Sequence, residues 1–139
     1  MEPYEIVEHT ADIGIRGSGR TPAELFANMA RGVFSLIVPP EEVRSAEKRT
    51  VQAQADGWER LLVAWLRELL YLFDAQRFLP GSFAIRRLDP TAIEAEVSGE
   101  ALDLGRHTLG KEVKAVTYCE LSLRQEADGT WSAQVILDI

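Results

Sequence analysis

The feature that most constrains this fold is a run of apolar residues between positions 61 and 73, spaced as on one face of a helix. The run comprises Leu61, Leu62, Trp65, Leu66, Leu69, Leu70 and Phe73. This stripe is wide enough to be buried on more than one side, so we interpret it as a core helix rather than a partner-binding one. Asp56 is its predicted N-cap, with Glu59 completing a capping box.

A second amphipathic helix is predicted to precede it. Thr21 can cap this helix, Pro22 suits the first helical position, and Glu24 can reach back to the cap. Apolar residues recur at helical spacing until Pro39 and Pro40, where we expect the helix to end.

The rest of the chain is predicted to form about six short strands, connected mostly as hairpins. They are expected over residues 4–8, 13–16, 47–55, 83–88 and 92–98, and in a last hairpin over 113–139. No linker or repeat divides the chain. Residues 1–139 are therefore predicted to form one two-layer α+β domain, with a mixed or antiparallel sheet and both helices on one face.

The last hairpin has two registers open to it. A two-residue turn would set each apolar face of one strand against a polar face of the other. A three-residue loop with Gly129 in the left-handed region instead pairs Leu121 with Val135 and Cys119 with Leu137, so we favour it. In that register Cys119 is a small buried residue.

Composition excludes several classes of protein. The net charge of -7, from 22 acidic and 15 basic residues, argues against direct binding to nucleic acid. The single cysteine excludes an internal disulfide and fits a reducing cytoplasm. No stretch reaches the ~20 apolar residues that span a bilayer, and no targeting segment is recognisable, so we expect a cytoplasmic protein.

Two aspartates stand out as candidates for chemistry. Asp12 lies in a strand pattern that disfavours aspartate, and Asp138 lies one residue before Ile139 at the end of the last strand. Carboxylate oxygens of this kind bind calcium or magnesium. The residues alone leave two interpretations open: a metal site, or a loop aspartate that caps backbone amides and an exposed chain end. No catalytic spacing surrounds His9 or His107.

Four stretches spread along the whole chain carry a resemblance to a known family. They read EHTADIGIRG, TPAELFANMARG, GEALDLGRHTLGKEVKAVTY and the closing ILDI. In this order they resemble the archease family. The resemblance implies a small protein cofactor, without catalytic residues, of the GTP-dependent RNA-splicing ligase. Such a cofactor promotes guanylylation and multiple turnover of the ligase in tRNA splicing or RNA repair.

The resemblance also implies a site for a divalent metal ion, commonly calcium, formed by Asp12, Asp138 and Ile139. For that site to exist, the strand that carries Asp12 and the last strand must be neighbours. Lys114, Arg106 and His107 match the family pattern and are expected to contact the ligase through charge-assisted hydrogen bonds. An ion pair of Lys114 with Glu112 or Asp103 is the alternative.

Cys119 departs from the family pattern, because many members have histidine at this position. The sequence leaves two other functions open. One is a chaperone or specificity modulator of an RNA-modifying enzyme such as a tRNA methyltransferase. The other is a metal-dependent phosphoesterase that uses Asp12, Asp103 and Asp138 around a cation, with His107 as acid or base.

Overall fold

The computed structural model describes residues 3–8 and 12–139, and this part contains seven strands and two α-helices. In chain order the elements are β1 (Tyr4–Glu8), β2 (Asp12–Gly19), α1 (Pro22–Ser35), β3 (Glu47–Gln54), α2 (Trp58–Gln76), β4 (Phe78–Asp89), β5 (Ala92–Ala101), β6 (Ala115–Gln125) and β7 (Trp131–Asp138). A single 3-10 turn, Pro40–Glu42, follows α1. No helix in the described part is long and apolar enough to cross a membrane.

The start of α1 is as predicted, but the start of α2 is not. The hydroxyl of Thr21 accepts a hydrogen bond from the Glu24 amide at 3.1 Å, and Pro22 is the first helical residue. At α2 the N-cap is Gly57, whose φ is 104°, and no side chain caps the helix. The predicted capping role of Asp56 is wrong because the chain turns through Gly57, which leaves the capping position without a side chain.

The strands form two antiparallel sheets, so the predicted α+β class is confirmed although the strands do not form one sheet. Sheet order is β1-β2-β7-β6 in one and β3-β5-β4 in the other. Both helices contact strands of both sheets. The predicted apolar stripe of α2 is buried throughout. Because the stripe is wide, α2 can pack against strands of both sheets, and one apolar core results.

The last hairpin has the predicted register near its turn and a different one beyond it. Ser122 pairs with Gln134, as the three-residue loop requires, and Gly129 has a φ of 90°. The register then shifts between Thr117 and Ser122, where β6 bulges outward. As a result Val116 rather than Cys119 lies opposite Leu137.

The predicted burial of Cys119 is therefore wrong. Cys119 lies in the bulge and is exposed. The neighbouring Glu120 has a φ of 50°, in the left-handed region that ends regular pairing. The Arg67 side chain stabilises this bulge, because its guanidinium donates two hydrogen bonds to the Val116 carbonyl and lies 4.6 Å from the centre of the Tyr118 ring.

Candidate functional site

The candidate metal site lies where β2 begins and β7 ends. These strands are neighbours, as the site implied by the resemblance requires, and Asp12 is paired directly with Asp138. Side chains at directly paired positions project from the same face of a sheet, with Cβ atoms about 4.5–5.5 Å apart. The next pair along, Ile13 with Leu137, is fully buried, so alternation directs the two aspartates to the outer face.

This position explains why an aspartate is tolerated in the strand. Asp12 is half-buried and Asp138 is exposed, so both carboxylates keep access to water. Like charges directly opposite each other destabilise a sheet. Neither aspartate forms an ion pair with any residue that the structure describes. A cation bound between them would remove this repulsion.

The donor set fits a hard divalent cation. Two carboxylates and the main-chain oxygens of the adjacent Ile139 are oxygen ligands, which calcium prefers, and water can complete its coordination. Within residues 3–8 and 12–139, no three His, Cys, Asp or Glu side chains cluster closely enough to hold a metal by themselves. His9 and Thr10, which belong to the same motif as Asp12, lie outside the described residues.

Lys114 lies beside this end of the sheet. Its backbone amide donates a hydrogen bond to the carbonyl of Asp138 at 2.8 Å. Its side chain is exposed and forms no ion pair in the described part of the chain, so the pairing with Glu112 or Asp103 is not formed.

The side chain of His107 does not lie at the surface, where a contact with a partner would require it. Its side chain is fully buried, and its Nε2 lies 2.9 Å from a Glu100 carboxylate oxygen. Its Nδ1 accepts a hydrogen bond from the Asp103 amide at 2.9 Å, which makes Nε2 the protonated nitrogen. A ring with both nitrogens engaged inside the protein has a structural role. The partner contact and the acid–base role expected for His107 are corrected accordingly.

Arg106 belongs to the same buried network. Its guanidinium forms an ion pair with Glu100 and donates to the Glu42 carbonyl at 3.1 Å. The carboxylate of Glu42 in turn accepts from the amide and hydroxyl of Thr108, and these bonds lower its pKa. Arg106 therefore attaches the loop of residues 102–114 to the 3-10 turn, and its expected contact with a partner stays a prediction.

Glu100 is the central residue of the network and was missed at the sequence level. Burial raises the pKa of its carboxyl, but the Arg44 amide, His107 and Arg106 donate to the carboxylate and together bring the pKa to about 2. The available signal was a glutamate closely followed by arginine and histidine in GEALDLGRH. Those residue types form a buried charge network when the loop folds back on its strand.

Comparison with known proteins identifies the family of this chain. The profile of the Archease protein family (MTH1598/TM1083) matches residues 4–139. The chain belongs to the archease family. It is 37% identical to the protein archease of Thermococcus gammatolerans, with 100% of both chains covered. It is 39% identical to that of Methanosarcina mazei, with 98% of this chain and 95% of the relative covered.

A solved archease-like structure has the same fold. The solution structure of Methanobacterium thermoautotrophicum protein 1598 superposes with a TM-score of 0.86, at 32% identity and with 100% of each chain covered. The archease motifs recognised in the sequence thus have defined positions. The first contributes Asp12, the third contributes the Glu100 network and Lys114, and the last contributes Asp138.

Proposed function

We propose that this protein is a non-enzymatic, metal-binding protein cofactor that activates the GTP-dependent RNA-splicing ligase in the cytoplasm. It promotes guanylylation of the ligase and its repeated turnover in tRNA splicing or RNA repair. Membership of the archease family supports the identity of the partner. The direct pairing of Asp12 with Asp138 is the observation that carries the metal-binding part of the proposal.

The metal ligands in this proposal are the carboxylates of Asp12 and Asp138 and the main-chain oxygens of Ile139. A bound divalent cation, calcium in the first instance, supplies a positive centre that neutralises the two carboxylates. Lys114 adds a second positive charge at the same end of the sheet. The exposed ammonium of Lys114 and the open coordination positions of the bound cation suit an acidic or phosphate group of the ligase.

Metal binding is tested by calorimetric titration with calcium. Asp12→Asn and Asp138→Asn should each weaken binding by about tenfold or more, since each removes a charged ligand at nearly constant volume. Deletion of Ile139 should also weaken it. Asp56→Asn is the matched control, because Asp56 is exposed and lies at the start of α2, outside the site. Calcium affinities equal in all four variants and the unaltered protein would contradict the proposed ligand set.

Ligase activation is tested with radiolabelled GTP and the cognate ligase, with RNA in excess over ligase. The unaltered protein should increase both the labelled ligase fraction and the number of ligation cycles. Lys114→Ala and Asp138→Asn should reduce that stimulation, whereas Asp56→Asn should not. Absence of stimulation would contradict the proposed function, and phosphoester turnover by this protein alone with added metal would contradict its non-enzymatic character.

A further inference from the structure

An apolar groove lies between the C-terminal end of α2 and the loop of residues 102–114. Its volume is about 640 Å³, within the range of about 300–1,000 Å³ of ligand-binding pockets. The buried side chains of Ile37, Phe73 and Val113 are among its apolar lining. The groove therefore offers a contiguous apolar surface connected to solvent.

Two large apolar side chains line the groove and extend into water. Leu104 is 69% exposed and Leu109 is 53% exposed. Single exposed leucines need no explanation, but two beside one apolar groove form the kind of patch that marks an interaction site. The patch also predicts an apolar occupant, because a polar one would leave both leucines hydrated.

The exposure of these leucines is fixed by the fold. The turn that carries Leu104 is closed by the His107 amide, which donates to the Asp103 carbonyl at 2.7 Å, and by the buried His107 ring. Just after Leu109, the amides of Gly110 and Lys111 donate to the carbonyls of Ile37 and Leu36, which directly follow α1, at 2.8 and 2.7 Å. Both leucines are thus held on an anchored loop, so a partner needs little further ordering of this surface on binding.

The charges around the groove indicate a protein occupant. Arg77, Lys111 and Lys114 line it together with Asp74 and Glu112, so the local balance is positive in a chain whose net charge is -7. Mixed charge around an apolar floor is typical of a protein interface, whereas a nucleic-acid surface is uniformly basic. The net negative charge also opposes docking of a second copy of the chain.

Two of the three cations are available to a partner. Lys111 lies 3.2 Å from the carboxylate of Glu8. Arg77 and Lys114 form no ion pair with any residue in the described ranges. The Arg77 guanidinium lies 5.2 Å from the centre of the Phe73 ring, at the edge of the apolar floor. A carboxylate next to an apolar side chain would complement this arrangement.

We infer that this groove is a docking site for an acidic, apolar segment of the ligase that the protein activates. A bulky apolar side chain of that segment packs between Leu104 and Leu109, and an adjacent carboxylate meets Arg77 and Lys114. Lys114 belongs both to the groove and to the end of the sheet beside Asp138, so the docking site adjoins the candidate metal site. The identity of the occupant rests on the proposed function.

The test is the affinity of the full-length protein for the cognate ligase, measured by biolayer interferometry with calcium present. The double variant Leu104→Ser with Leu109→Ser should weaken binding by about tenfold or more. Ile6→Ser is the matched control, because Ile6 is 42% exposed on β1 and does not line the groove. Arg77→Asn should weaken binding less and reduce its salt dependence. Asparagine suits this position because Arg77 has a φ of 56°.

The outcomes separate this inference from the proposed function. If the unaltered protein does not bind or stimulate the ligase, both fall. If it binds and the double variant binds equally well with unchanged calcium affinity, the groove inference alone falls. If Ile6→Ser weakened binding to the ligase as much as the double variant, the effect would not be specific to the groove, and the groove inference would also fall. Dimerisation of the unaltered protein that the double variant abolishes would identify a second copy as the occupant and overturn the inference too.

Discussion

Replacement of Glu100 by glutamine should destabilise the protein in a pH-dependent way. The Glu100 carboxylate accepts a hydrogen bond from the Arg44 amide at 2.8 Å, and it contacts His107 and Arg106 on the loop of residues 102–114. Glutamine keeps the size and one carbonyl acceptor but removes the charge. The variant should therefore fold with the loop in place while losing the charge-assisted part of the network.

The size and direction of the effect follow from the pKa. The network lowers the pKa of Glu100 from 4.5 to about 2, which at about 1.4 kcal/mol per pH unit corresponds to about 3 kcal/mol as an upper value. Solvent around the partly exposed Arg106 reduces this, so we expect a loss of about 2 kcal/mol at pH 7. Because the folded pKa is depressed, the stabilisation is fully present above pH 4.5 and is lost as the pH falls toward 2.

The assay is urea unfolding of the unaltered protein and Glu100→Gln at intervals from pH 7 to pH 3. The difference between their free energies of unfolding should be constant near neutrality and should fall by about half at pH 3. Glu96→Gln, on the same strand, is the matched control, because the ion pairs of Glu96 with Lys48 and Arg86 are partly exposed. A difference between the unaltered protein and Glu100→Gln that is near zero at pH 7, or that does not change between pH 7 and pH 3, would refute the reasoning.

Three further predictions concern local structure. Thr21→Ala should lower the free energy of unfolding in urea by about 1 kcal/mol, because it removes the α1 cap. Asp56→Ala should change it by no more than about 0.5 kcal/mol, because Asp56 does not cap α2. A larger loss for Asp56→Ala than for Thr21→Ala would contradict the assigned caps. Cys119 should react with a thiol reagent in the native protein, because it is exposed. Labelling that occurs only after denaturation would show that Cys119 is buried and would contradict the bulge. Gly110→Ala should lower the free energy of unfolding by about 1–3 kcal/mol, because the new Cβ would overlap the Leu36 carbonyl oxygen. Gly105→Ala should lower it less, because its Cβ would contact only the Asp103 carboxylate.

The elements whose causes are local could be predicted from the sequence. The α1 cap depends on Thr21 and its near neighbours, and the buried stripe of α2 depends on helical periodicity. The turn of the β4–β5 hairpin depends on Asp89, whose carboxylate accepts a hydrogen bond from the Thr91 amide at 2.8 Å. Each of these features depends on residues that are close together in the sequence, so it could be predicted without knowledge of the rest of the fold.

The β6 bulge could not be predicted, because its cause is distant in the sequence. Alternation of apolar residues favoured a regular strand with Cys119 inside. In the folded chain the Arg67 guanidinium, from α2, binds the Val116 carbonyl and lies over the Tyr118 ring. That contact favours a strand that leaves its regular path after Thr117, and nothing in residues 115–125 indicates that an arginine from α2 will be there.

The same limit explains why the two aspartates were recognised as candidates from the sequence and Glu100 was not. Asp12 is conspicuous because it conflicts with its strand pattern, and Asp138 because it lies one residue before Ile139 on the last strand. Pairing of β2 with β7 brings them together. Glu100 conflicts with nothing locally: alternation on β5, where Val97 is buried, gives no reason to expect a buried carboxylate three residues on. Glu100 is buried because the loop of residues 102–114 folds over the end of β5 and places Arg106 and His107 against its carboxylate. The same loop has His107 buried and Leu104 and Leu109 exposed, so the Glu100 network anchors the loop that carries the proposed docking surface.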